Sequence, residues 1–273
     1  MPLFHIVVLA LVQGITEFLP ISSSGHLILV PGVTGWPDQG LVIDVAAHMG
    51  TLIAVLVYFW RDIAGMLAGL GRLAGSRLGA GRMDDGAKLA LNTAVATLPA
   101  LAIGFAVQHF LGDRLRSIHV VAWTMIGFAI VLYLADRIGL TVRRLEHMTM
   151  GQALVVGIAQ TLAFVPGTSR SGITIVAARL LGYERAEAAR FSFLLSIPAI
   201  AAAALLEGYH VVQAGDWGQL HDAALTAGLS ALAGFAAIAF MMRWLRGANF
   251  TIFVVYRLLL GGALLYLIYF RGY

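Results

Sequence analysis

The chain has 273 residues, 60% of them hydrophobic and only 12% charged, against about 25% charged in a typical soluble domain. A water-soluble protein with a mean hydropathy of +0.86 would expose large apolar patches, so the composition excludes an ordinary soluble fold and makes membrane lipids the natural surroundings. Net charge is +4, yet the basic residues are scattered without the run of a nucleic-acid footprint, and the lack of cysteine excludes disulfides, thiolate catalysis and Cys-ligated metals.

In chain order, residues 1–5 carry no Lys or Arg ahead of the apolar run, so the basic start of a cleavable signal peptide is missing and this end reads as part of the mature protein. An apolar region over 3–35 is broken by Pro-Ile-Ser-Ser-Ser-Gly at 20–25. Three stretches long enough to cross the hydrocarbon follow, at 42–60, 89–110 and 118–135. A second broken region, 152–181, is interrupted by Pro-Gly-Thr-Ser-Arg-Ser-Gly at 166–172, and three more spans follow at 191–206, 223–242 and 250–270. Each broken region reads as a hairpin that enters, stops and returns, because irregular backbone at membrane depth is tolerated only where protein or a polar cavity surrounds it.

The two broken regions match at an offset of 147, Gln13 with Gln160, Ser22 with Ser169, Ser24 with Ser171 and Gly25 with Gly172, while Pro20 and Pro166 miss that register by one residue. The chain thus divides into repeat halves of about 1–135 and 152–270. Three spans per half place the second hairpin on the membrane face opposite the first. The fold class expected is an all-α integral membrane protein, an inverted repeat of about six full spans and two re-entrant hairpins. Segments 61–88, 136–151 and 243–249, read as loops, carry ten basic residues, and the opposite face carries Arg114, Arg116 and Arg271. The positive-inside rule makes the first face cytoplasmic, with both termini and the first hairpin outward.

A charge at the bilayer centre costs about 2.5–3.5 kcal/mol, which singles out Glu17 in the first hairpin and Arg170 in the second. Gln13 and Glu17, four apart, share a helix face, and Ser22, Ser23, Ser24, Gly25 and His26 follow. The second tip supplies Thr168, Ser169, Arg170, Ser171, Gly172 and Thr174, with Gly167 and Gly172 allowing close backbone approach. Two return helices whose free N–H groups meet at mid-depth suit a phosphate or pyrophosphate, and Arg170 is a natural fork for its oxygens. The carbonyl ends of the incoming helices oppose an anion unless a divalent cation intervenes, and the oxygens of Gln13 and Glu17 favour Mg²⁺ or Ca²⁺ over zinc or iron. The plainer alternative is that these serines and glycines only satisfy broken backbone and let helices pack. Asp44 and His48 read as capping groups, and Arg257 as a residue that snorkels to the cytoplasmic surface. His109, His119, His147, His210 and His221 read as surface residues.

The segment from Gln13 through Glu17 to His26 resembles the first signature of the undecaprenyl-diphosphate phosphatase family, also called bacitracin-resistance proteins, and Pro166 to Thr174 resembles the second. The likeness extends over the whole chain, including Gly-Thr-Leu-Ile-Ala-Val at 50–55 and Phe-Ser-Phe-Leu-Leu-Ser-Ile-Pro at 191–198. It implies a hydrolase of the bacterial inner membrane that converts the C55 isoprenyl pyrophosphate carrier to its monophosphate and inorganic phosphate. The carrier then returns to cell-wall synthesis, and bacitracin resistance follows. It further implies an interlocked inverted repeat whose site opens to the outer, periplasmic face. The family's acidic motif falls on Gln13 and Glu17, its serine on Ser23, its histidine on His26 and its arginine on Arg170. Many members carry Glu where this chain has Gln13.

The mechanism expected on this basis places Mg²⁺ or Ca²⁺ on Glu17 and Gln13, with Arg170 and the return-helix N–H groups neutralising the transferring phosphoryl group. Ser23 is the nucleophile or holds an attacking water, and His26 or Glu17 accepts the proton. Ser22, Ser24, Gly25, Thr168, Ser169, Ser171, Gly172 and Thr174 are the expected binding positions. The rival reading is a transporter or flippase of polyprenyl phosphate lipids, since inverted repeats with broken helices are also a transporter plan.

Overall fold

The computed structural model describes residues 1–75, 83–115, 117–214 and 219–271. Of the residues named above, Arg116 lies outside these, and the side chains of Arg114, Arg271, His109 and His210 are likewise outside the description. Among the described residues there is no strand. The helices are α1 (Leu3–Phe18), α2 (Ser23–Thr34), α3 (Leu41–Tyr58), α4 (Trp60–Gly75), α5 (Asp85–Leu115), α6 (Ile118–Ile138), α7 (Met150–Gln160), α8 (Arg170–Leu180), α9 (Arg185–Ala214), α10 (Leu220–Trp244) and α11 (Thr251–Arg271). Helices α3, α5, α6, α9, α10 and α11 are long and apolar enough to cross a membrane, and the chain is a multi-pass membrane protein. Large apolar side chains such as Leu205, Leu232, Leu259 and Phe270 project outward, at 70% exposure or more, as hydrocarbon surroundings require.

The breaks fall where the Pro/Ser/Gly clusters put them but are shorter than those clusters. The first return helix begins at Ser23 and the second at Arg170, so Gly25 and Gly172 lie in first turns and not in the loops. The segment read as a loop over 61–88 contains a helix, α4, and this corrects the sequence reading. Ile63, Met66, Leu67 and Leu70 recur at helical spacing, and Ile63 and Met66 pack on the main core while Leu67 stays exposed. Helices α5 and α9 outrun the predicted spans at both ends because a helix continues into polar flanks as long as its backbone bonds are made.

The two hairpins open at opposite ends of α6. At its start, where Ser117 caps Val120 N–H, Ile118 packs beside Gly32, and His5 stacks on Trp36 across the mouth of the first hairpin. At its end the buried Arg179 donates to the carbonyls of Leu140, Gly139 and Tyr183, and Tyr183 in turn donates to Gln152 at 2.7 Å, closing the second hairpin. Gln152 also completes a capping box with Thr149 at the start of α7.

The halves interlock. Helix α1 packs against α10, where a side-chain carbon on Gly14 would lie 2.6 Å from Ala233, and α7 packs against α5, where one on Gly157 would lie 2.3 Å from the carbonyl of Ala96. Each incoming hairpin helix therefore grips the middle span of the other half, and the grip leaves no room for a side chain. The core runs between, with Phe18, Phe193, Ile173 and Val176 buried around the two tips.

Candidate active site

Ser22 and Ser169 are the N-caps of the two return helices, and both hold the chain at positive φ, 75° and 74°. Their hydroxyls accept from Gly25 N–H at 3.2 Å and Gly172 N–H at 3.1 Å, satisfying one orphan donor of each helix. A residue with a Cβ rarely adopts this backbone, and such conformations cluster at functional sites. The turn before Ser169 uses Gly167, at φ 88°, whose missing side chain admits Thr124 of α6. Ser171 then donates to the carbonyl of Leu19 at 3.1 Å, tying one tip to the other.

This joint places Glu17, in the last turn of α1, against Arg170, the first residue of α8. Arg170 Nη2 donates to Glu17 Oε1 at 3.2 Å, and its Nη1 donates to the carbonyl of Ser192 at 3.0 Å. The other carboxylate oxygen, Oε2, accepts from Ser23 Oγ at 2.7 Å and from Gln13 Nε2 at 3.0 Å. A hydroxyl within hydrogen-bond reach of a carboxylate that is itself held by a third group is the arrangement of an activated nucleophile or of a water-positioning group.

His26 stands apart from this cluster. Its Nδ1 lies 2.7 Å from the carbonyl of Ser22, which can only accept, so Nδ1 carries a proton, and Nε2 pairs with the Tyr256 hydroxyl at 2.6 Å. Both ring nitrogens are occupied, and of the two proton acceptors expected for Ser23 the structure brings Glu17 to it. Ser22, Gly25, Thr168, Ser171, Gly172 and Thr174 are buried beneath the tips. Thr174, for instance, bonds the carbonyl of Arg170 and the hydroxyl of Ser192.

A cavity of about 650 Å³ lies over the joint. Glu17, Ser23, Ser24, Ser169 and Arg170 form its polar floor, and His48, read from sequence as a capping group, lines it too. Leu101, Ala199, Ile200, Ala203 and Leu206 form an apolar wall on α5 and α9, and Leu101 and Leu206 are themselves about half exposed. Two of the residues that line it carry buried polar atoms without a partner, both amide atoms of Gln160 and Arg170 Nε, and Gln13 Oε1 is unpartnered beside Glu17. Buried groups are normally satisfied, and these are the ones a ligand in the cavity would complete.

Gln13 Oε1 and Glu17 are oxygens of the kind a hard cation takes, although the carboxylate already accepts from Arg170, Ser23 and Gln13, and among the described residues no group of three His, Asp or Glu converges. That donor set fits an ion such as Mg²⁺, which takes one or two protein oxygens and completes its shell with phosphate and water, and it does not fit a closed protein cage.

Arg257 departs most from its sequence reading. It does not snorkel: at 1% exposure it lies under both tips, donating to the carbonyls of Pro20 in the first hairpin and Gly167 and Thr168 in the second, and to Met125 and Thr124 of α6. Broken helices leave carbonyls that must find donors, and one guanidinium with five N–H groups serves several at once. A single charge well inside an apolar span was the available signal.

A family model described as "Bacitracin resistance protein BacA" matches residues 6–263. The chain is 49% identical to an undecaprenyl-diphosphatase of Roseobacter denitrificans over 97% of its own length and 98% of that protein's. It is likewise 49% identical to one of Ruegeria pomeroyi, over 98% and 100%, and 50% identical to undecaprenyl-diphosphatase 1 of Rhodospirillum rubrum, over 98% and 96%. With the paired signatures meeting at one cavity and the likeness covering nearly every residue, the chain belongs to the bacitracin resistance protein BacA family.

Proposed function

We propose that the protein hydrolyses undecaprenyl diphosphate to undecaprenyl phosphate and inorganic phosphate, recycling the lipid carrier for cell-wall synthesis and raising tolerance to bacitracin. The names of its relatives agree with this, and the observation that carries it is the Ser23–Glu17–Arg170 chain on the floor of a cavity with one apolar wall. A diphosphate belongs on that floor and an isoprenyl tail along that wall.

Ser23, or a water that it holds, attacks the terminal phosphorus, and the departing proton passes to Glu17 Oε2, to which Ser23 already points. Arg170 neutralises the phosphoryl oxygens, with its unpartnered Nε available to them as well as Nη2. The P–O bond to the lipid phosphate breaks as the new bond forms, and where Ser23 is the nucleophile a water then cleaves the phosphoserine, releasing inorganic phosphate and restoring the hydroxyl. Most of the catalysis is positioning and charge. Glu17 and the free oxygen of Gln13 are the groups that would hold Mg²⁺ or Ca²⁺, which when bound supplies charge neutralisation to the diphosphate. The site opens to the outer leaflet on this reading. The cavity lies along α5 and α9 toward Gly104 and Leu206, away from the basic ends at Lys88 and Arg190 that the positive-inside rule puts in the cytoplasm.

Phosphate release by the detergent-solubilised protein with undecaprenyl diphosphate tests the reading. Glu17→Ala and Arg170→Ala abolish it. If pure protein releases no phosphate yet moves polyprenyl phosphate between the leaflets of vesicles, the hydrolase reading falls and the transporter reading replaces it.

A further inference from the structure

Gln160 is the last residue of α7 and 3% exposed, and neither its amide oxygen nor its amide nitrogen has a partner. It lines the same cavity as Glu17 and Arg170. In sequence Gln160 is the counterpart of Gln13, and its position explains its isolation. In the first half Gln13 is followed four residues later by Glu17 and donates to it at 3.0 Å. At the offset of 147 Gln160 corresponds to Gln13, and beyond it the register slips by one, so that Phe-Leu-Pro at 18–20 matches Phe-Val-Pro at 164–166 and Ala163 stands where the first copy has Glu17. The second copy has kept the amide and lost its carboxylate.

Neither Ala163 nor Phe164 gives Gln160 a side-chain group to bond. The Phe164 ring lies against Gly104 of α5 on the apolar side of the cavity. Thr97, a polar lining residue on α5, donates to the carbonyl of Thr93 at 2.7 Å. A buried amide with neither atom bonded is costly. It is tolerable where a ligand completes it, and the amide's two N–H donors match the acceptor oxygens of a diphosphate.

We propose that Gln160 is a substrate-binding residue that donates through Nε2 to a non-bridging oxygen of the isoprenyl diphosphate, opposite Arg170. This rests on the hydrolase reading above. The duplicated hairpin helices thus divide the work. The first copy supplies the acid–amide pair beside Ser23, and the second supplies an amide for the head group and a ring for the first part of the tail.

Gln160→Met, which keeps the shape and removes the polar atoms, separates binding from structure. The full-length protein in detergent is assayed with undecaprenyl diphosphate for kcat and KM. Its melting temperature is measured with and without a methylene-bridged, non-hydrolysable isoprenyl diphosphonate. The expected result is a KM raised about tenfold or more with little change in kcat, the pattern of lost uniform binding. The empty variant melts at or above the wild-type temperature, and the diphosphonate raises that temperature less than in wild type. Gln160→Glu, which sets a negative charge beside the head group, loses more than Gln160→Met.

A KM within twofold of wild type overturns the proposal. So does a lower melting temperature of the empty protein with an undiminished diphosphonate shift, since that is the behaviour of a purely structural amide. If wild-type protein releases no phosphate at all, it is the hydrolase reading that fails, and Gln160 is then judged on the diphosphonate shift alone.

Discussion

Ser22 and Ser169, 147 residues apart in sequence, adopt the same left-handed backbone and make the same bond to the glycine three residues on. Each hydroxyl offsets both a strained φ and an unsatisfied helix end, so Ser22→Ala and Ser169→Ala each lower stability by about 1–2 kcal/mol. Thermal melts in detergent check this. Ser→Gly at either position costs less than Ser→Ala, because glycine accepts the backbone even without the cap.

Glu17→Gln keeps the size of the side chain and removes the base. Ser23 can still bond to the amide oxygen but cannot pass it a proton, so kcat for phosphate release falls by about 10²–10⁴ while KM moves far less. Quenching a reaction with substrate labelled in the terminal phosphate separates the two modes of attack. Label retained on protein and absent from Ser23→Ala marks a covalent phosphoserine, and no retained label marks direct attack by water.

Gln13 provides a handle on the cation. Chelator removes phosphate release and Mg²⁺ or Ca²⁺ restores it. Gln13→Glu, which adds a second carboxylate, lowers the cation concentration needed for half-maximal rate by about tenfold, as ligand charge does at hard-metal sites. Without cation the variant melts lower than wild type, because the bond from Gln13 to Glu17 becomes a like-charge contact. Unchanged activity in chelator removes the metal from the mechanism.

Arg257→Ala strips donors from carbonyls in both hairpins and in α6 at once. The loss is about 3 kcal/mol or more, large for one side chain, and is read as a lower melting temperature together with reduced phosphate release. Arg257→Lys recovers part of the stability only, since one ammonium cannot span carbonyls on two hairpins.

Much of the site was legible because charge is scarce in an apolar chain. Glu17 and Arg170 stand out against hydrocarbon-compatible neighbours, and the structure places them 3.2 Å apart. The broken helices were legible from Pro, Ser and Gly clusters, whose local chemistry does not depend on the rest of the fold. Arg257 was misread because its sequence surroundings are those of a snorkelling residue, and the carbonyls it serves come from segments about 90 and 237 residues away. His48 and Gln160 were underrated for the same reason, since their value comes from the cavity they share. Helix α4 is hard to see in sequence because its arginines and glycines break up a narrow apolar stripe that only packing on the core reveals.

Among the charged side chains that the two tips engage, Glu17 is negative while Arg170 and Arg257 are positive. Arg257 bonds only to carbonyls, so its charge is spread over dipoles and not cancelled by a carboxylate. The side chains at the joint therefore sum to one positive charge inside an apolar protein, where bare charge is least tolerated. An anionic head group arriving there gains what a neutral one would not, so the joint sorts lipids by charge before any chemistry begins.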